Sequence, residues 1–148
     1  MKSQHQKLIV ELRRNARSKL TEISEASKIP VSTLFDSIHN LESENIIEHK
    51  TLVNFEKLGF NTRVFMAFKI NLKNKEILED YMKKAKNINS IFHINSGYDY
   101  LIDGVFRNQK ELQKFIDEIG ALITEKNILN VIDVVENERF LTNENHFE

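Results

Sequence analysis

The spacing of apolar residues changes once along this chain, after Lys50, and that change limits what the chain can fold into. Before it the spacing is helical. Leu8, Leu12 and Ala16 recur every fourth residue behind a possible Ser3 cap. Thr21 is placed to cap a second helix, with Glu22 and Glu25 in the first turn, where the helix dipole favours acids. Ile23, Ala26 and Ile29 give that helix an apolar stripe, and Pro30 is expected to end it. Ser32 is the expected cap of a third helix, with Leu34, Ile38 and Leu41 facing inward at i, i+4 and i+7. Three short helices, the last two joined by a tight turn, form the helix-turn-helix pattern, which other small helical bundles share. "NIIEHKTLVNF" alternates loosely and reads as a short strand pair or wing.

Beyond Lys50 the pattern mixes periods. "NFEKLG" reads as a helical connector closed by Gly59 at a left-handed C′ position. "TRVFMAFKIN" alternates at period two, with Val64, Met66, Phe68 and Ile70 on one face and Phe65 and Ala67 on the other. "KEILEDYMKKAK" reads as a helix turning Ile77, Leu78, Tyr81, Met82 and Ala85 inward. "NSIFHINSG" and "YLIDGVFR" read as strands joined at the "SGYD" turn. "QKELQKFIDEIGALITEK" reads as one long helix packing Leu112, Phe115, Ile116, Ile119, Leu122 and Ile123, and "ILNVIDVVENERF" as a last strand. The order β-α-β-β-α-β is the ferredoxin-like arrangement. The expected class is therefore α+β: a winged helix-turn-helix domain over 1–50, a linker over 51–61 and a ferredoxin-like domain over 62–148. The sheet face away from the helices also carries apolar residues and needs a cover, most simply a second copy of the chain.

Charge is unevenly spread. Residues 1–20 hold six basic residues (Lys2, Lys7, Arg13, Arg14, Arg17, Lys19) and one acid, although the whole chain has a formal charge of −1. Such a patch attracts an anionic partner or is simply a solvated helix face. There is no Cys, which excludes disulfides and thiolate chemistry. No apolar run approaches the ~20 residues of a membrane span. The N-terminus lacks the apolar core of a secretory signal, so the expected location is cytoplasmic. The five His residues are scattered, and there is no Gly-rich phosphate loop or nucleophile elbow. The sequence therefore predicts no enzyme, metal site or cofactor.

Taken in order, several motifs resemble the Lrp/AsnC (feast/famine) family of transcription regulators. "RSKLTEISEASKIPVSTLFDSIHNLESENII" is similar to the family's helix-turn-helix, "LVNFEKLGF" to its Leu-Gly linker, and "NSGYDYLIDGVFRNQKEL" to its Gly-x-Tyr-Asp turn, strand and helix. The resemblance spans nearly the whole chain. It implies a RAM-type second domain that forms homodimers, often assembled into tetramers or octamers. It also implies a small effector, usually an amino acid, bound near the "SGYD" turn. Two departures stand out. From Val31 to Glu44 there is no Lys or Arg, where the family usually places several. Ser96 also takes the place of the family's glycine, with Gly97 after it.

Bases are read by side chains that reach their edges, and charge is not required for that. Ser32, Thr33, Asp36, Ser37 and Asn40 are the expected base-facing set, with His39 near phosphate and Arg17, Lys19 and Lys50 on phosphates. Phe35 is expected to pack inward beside Leu34, the alternative being a thymine methyl contact. Asn95, Ser96, Gly97, Tyr98 and Asp99 form the expected effector site, with Asp99 facing an ammonium group; a plain hairpin turn is the alternative. The expected partners are duplex DNA with a pseudo-palindromic site, a second copy of the chain and an amino-acid effector, without a membrane. The competing expectation is a relative with weakened DNA contact, acting as an interaction or sensor subunit in mixed oligomers.

Overall fold

Three helices open the chain: α1 (Ser3–Arg14), α2 (Leu20–Ser27) and α3 (Val31–Ser43). The computed structural model describes residues 2–95 and 97–147. Two units form, Met1–Leu52 with Val135–Glu148, and Val53–Val134. The C-terminal segment from Val135 thus belongs to the helical unit, whereas the sequence reading placed 62–148 in the ferredoxin-like domain.

In the first unit Leu8, Ile9, Ile23, Leu34 and Leu41 form the core. Leu141 and Phe147 of the C-terminal segment pack against it. The expected wing is absent: residues 44–55 pair with no strand among the described residues. A wing needs two runs joined by a tight turn, and "IIEHKTLV" offers neither Gly nor Asn to make one.

The second unit is an α+β ferredoxin-like fold. Its elements are β1 (Thr62–Ile70), α4 (Lys75–Lys84), β2 (Ile88–His93), β3 (Tyr100–Phe106), α5 (Gln109–Ile119) and β4 (Ile123–Asn130). The antiparallel sheet has the order β2-β3-β1-β4. A short 3-10 turn, Glu56–Leu58, precedes it and closes on Gly59 at φ 85°, the left-handed conformation that glycine adopts without strain. Val64, Met66, Phe68, Ile102 and Phe106 bury one sheet face against Leu78, Met82, Leu112, Phe115, Ile116 and Ile119. Ile77, expected inward, is exposed.

The last strand begins earlier than the sequence suggested. α5 stops at Ile119, and "ITEKNILN" pairs with β1 from Ile70↔Ile123 to Val64↔Asn130. As an edge strand with mostly exposed side chains, it lacks the alternation that marks a half-buried strand. Beyond it Ile132 and Val135 are almost fully exposed and belong to no strand. No helix among the described residues is long and apolar enough to cross a membrane.

Two phenols tie helices to this core. The Tyr100 hydroxyl donates to Glu79, and the Tyr81 hydroxyl donates to Glu118. Burial, followed by these carboxylate bonds, pushes both phenols up to about 12. Their unfolded value is about 10, so the unfolded chain loses these protons first. The stability they contribute is therefore fully present below pH ~10 and is lost as pH rises towards ~12. A pH series of urea melts should show this loss, and Tyr81→Phe with Tyr100→Phe should flatten it.

Candidate nucleic-acid interface

The turn between α2 and α3 is built from local bonds. The backbone N–H of Lys19 donates to the Glu22 carboxylate at 3.2 Å, which places the cap two residues before the expected Thr21. Lys28 closes α2 in the left-handed region at φ 61°, before Pro30 is reached. Ser27 Oγ donates to Ile23 O at 2.7 Å and accepts from Ile29 N at 3.3 Å. Pro30 holds the N-cap position of α3, so Ser32 falls inside the first turn. At the other end Asn45 turns left-handed at φ 55°, and Ile46 N–H reaches back to Leu41 O at 2.8 Å, which caps the helix.

Leu34, Ser37 and Leu41 form the buried stripe of α3, with Ile38 only partly buried beside it. Ser37 is 3% exposed. This corrects the sequence reading: Ser37 lies within the fold and cannot touch a base. The spacings i+3 and i+4 both define a helical stripe, and a small side chain at its centre lets neighbouring helices approach closely. Phe35 is also reversed, standing 65% exposed instead of packing inward. Ser32, Asp36, His39 and Asn40 are exposed and Thr33 is half-buried.

The basic cluster splits in two. Arg13 donates from Nε to Phe140 O at 3.0 Å and from Nη2 to Glu138 O at 2.8 Å, and it pairs with the Glu138 carboxylate at 3.0 Å. Arg14 donates to Thr142 O at 2.8 Å and pairs with Glu11 at 2.9 Å. Both arginines therefore hold the C-terminal segment on α1. The side chains of Arg17 and Lys19 are exposed and make no hydrogen bond or ion pair among the described residues. Lys50 is exposed and pairs with Glu48 at 3.1 Å. His49 lies 3.3 Å from Glu42. Replacing Arg13 with alanine should loosen the C-terminal segment while costing the unit only about 1 kcal/mol, because the pair is solvent-exposed. Faster hydrogen exchange in residues 138–147 than in α3 would register the change.

At the "SGYD" turn Asn95 and Gly97 are exposed, Tyr98 and Asp99 are half-buried, and Ser96 lies outside the described residues. Gly97 has φ 84°, with open space where a Cβ would stand. Asp99 O accepts from Ile94 N–H at 2.9 Å across the turn, and its side chain reaches beyond the turn. One carboxylate oxygen accepts from Ile70 N–H at 2.8 Å, and Asp99 N–H donates to Phe68 O at 2.8 Å. The residue ties the turn to the end of β1.

One polar cluster went unread in the sequence. Asp103, 3% exposed, accepts both prongs of Arg63 at 2.9 and 2.7 Å and Asn89 Nδ2 at 2.7 Å. Arg63 also lies 5.7 Å from the Phe55 ring and 5.8 Å from Phe65. The available signal was a lone acid inside the apolar run "YLIDGVF".

No family model matches the chain. A curated HTH-type transcriptional regulator of Pyrococcus furiosus is 30% identical over 117 residues, covering 72% of this chain and 70% of its own. Another from Pyrococcus abyssi is 24% identical over 132 residues, covering 87% and 90%. The regulator FL11 of P. furiosus is 26% identical over 117 residues, covering 78% of each chain. Among solved structures, a transcriptional regulator of Neisseria meningitidis in complex with L-Met superposes with a TM-score of 0.85 at 17% identity, over 93% of both chains. LrpC of Bacillus subtilis gives 0.84 at 18% identity, over 92% of this chain and 97% of its own. AsnC of Escherichia coli gives 0.80 at 16% identity, over 93% and 96%. With a helix-turn-helix unit, a ferredoxin-like unit and a relative at 30% identity, the chain belongs to the HTH-type transcriptional regulators and has the fold of the Lrp/AsnC structures.

Proposed function

We propose that this chain regulates transcription as a homodimer that binds duplex DNA through α3. The observation that carries this reading is the orientation of α3. Its apolar stripe is buried in the first unit, and Ser32, Asp36, His39 and Asn40 face outward. Thr33 stands at the edge of that face. Arg17, Lys19 and Lys50 bind phosphates, which position a protein on DNA without reading sequence. The sheet face opposite the helices carries Phe65, Ala67, Leu101 and Val105, with Phe92 and Leu129 half exposed. A second copy covers that face, and the two α3 helices then read half-sites about one DNA turn or a small multiple apart.

An amino acid binds near Asn95–Asp99 and tunes the assembly. The L-Met complex of the Neisseria regulator, a protein of the same fold, supports this class of effector. Calorimetry with the twenty amino acids should give heat with at least one, and Asp99→Ala should abolish it. No heat from any of them would overturn the effector reading.

The deciding experiment is selection of bound duplexes from a random pool. An enriched pseudo-palindrome is expected. The second reading, an interaction or sensor subunit with weak DNA contact, draws on the commitment of Arg13 and Arg14 to the C-terminal segment. Salt-sensitive, sequence-blind binding would favour it.

A further inference from the structure

We infer that Phe35, with Val31 beside it, reads thymine methyl groups in the major groove, making the apolar edge of α3 a determinant of sequence preference alongside its polar face. The inference rests on the DNA-binding reading above.

Phe35 is 65% exposed and Val31 41%, whereas the core of the unit is closed without them. Residues four apart on a helix lie about 40° apart around its axis, so the two form one ridge. That ridge borders Ser32, Asp36 and His39 on the outward surface of α3. No Lys or Arg occurs between Val31 and Glu44, so the commonest specific contact, a cationic side chain on guanine, is unavailable to this helix. Asp36 and Glu42 are acidic and exposed, which disfavours close approach of phosphates to the same surface. The thymine C5-methyl is the apolar feature of the major groove, and an aromatic side chain contacts it by burial alone, without a charge. An exposed Phe on an otherwise polar face gains from that burial what water denies it.

Deoxyuridine tests this directly, because it lacks only the C5-methyl and keeps the pairing edge of thymine. Duplexes selected from a random pool are rebuilt with deoxyuridine at each thymine in turn. The wild-type chain should bind about fourfold more weakly for each contacted methyl removed. In a dimer, removing the symmetric pair should weaken binding roughly fifteenfold. Phe35→Ala should bind the thymine duplex more weakly and lose its sensitivity to deoxyuridine. Phe35→Leu, which keeps an apolar side chain, should retain part of it.

Specific binding that ignores deoxyuridine, or a Phe35→Ala variant with unchanged sensitivity, would overturn the inference and leave the DNA-binding reading standing. Failure to select any specific duplex would remove both. If Phe35 instead seats against another protein chain, Phe35→Ala would shift the sedimentation coefficient of the free protein, and that result would also overturn the inference.

Discussion

Replacing Arg63 with methionine should destabilise the ferredoxin-like unit by about 3–5 kcal/mol, the loss expected when a buried ion pair is left with one partner. Asp103 is 3% exposed and relies on Arg63 for two of its hydrogen bonds. Without the guanidinium, a nearly dry carboxylate keeps only the Asn89 amide among the described residues. Arg63→Lys should fall between, because an ammonium restores the charge but not the two-pronged geometry. The double variant Arg63→Met, Asp103→Leu should recover most of the loss, since an apolar pair of similar volume requires no desolvated charge. Urea melts of these variants, of Asp103→Leu alone and of the parent chain would measure it. Additive losses in the double variant would mean that the pair is not coupled as its distances imply.

The second large effect concerns DNA. Arg17→Ala combined with Lys19→Ala should weaken binding about equally for every sequence and reduce the slope of log affinity against log salt. Each lost phosphate contact removes about 0.9 from that slope, so two residues in each of two subunits remove about 3.6. Folding should be unaffected, because both side chains are exposed and make no bond among the described residues. Asn40→Ala should behave differently, relaxing preference at one base position by about 1–3 kcal/mol with little change in slope. An unchanged slope in the double variant would show that other groups hold the backbone.

Several elements are legible in the sequence alone. β1 could be read because one of its faces is buried, and burial imposes period two on the sequence. Gly59 marked its turn because few other residues adopt that backbone angle. Other features left no local trace. Local spacing extends α5 too far because "ITEKNILN" becomes a strand only by pairing with β1, far away in sequence. Ser37 was placed on the DNA side because a stripe at i, i+4, i+7 and one at i, i+3, i+7 both fit "LFDSIHNL". Arg13 and Arg14 read as free cations because their partners lie more than a hundred residues later in the chain.

The charge-free stretch from Val31 to Glu44 shows where sequence stops and tertiary structure begins. The sequence by itself determined the helix, its family resemblance and the absence of local cations, because these depend on neighbours along the chain. Only the tertiary structure decided that Ser37 turns inward, that Phe35 stands in solvent and that Arg17 and Lys19 stay unpaired among the described residues while Arg13 and Arg14 do not. Those outcomes depend on which distant segments compete for the same surface, and hydrophobic period carries no information about that competition.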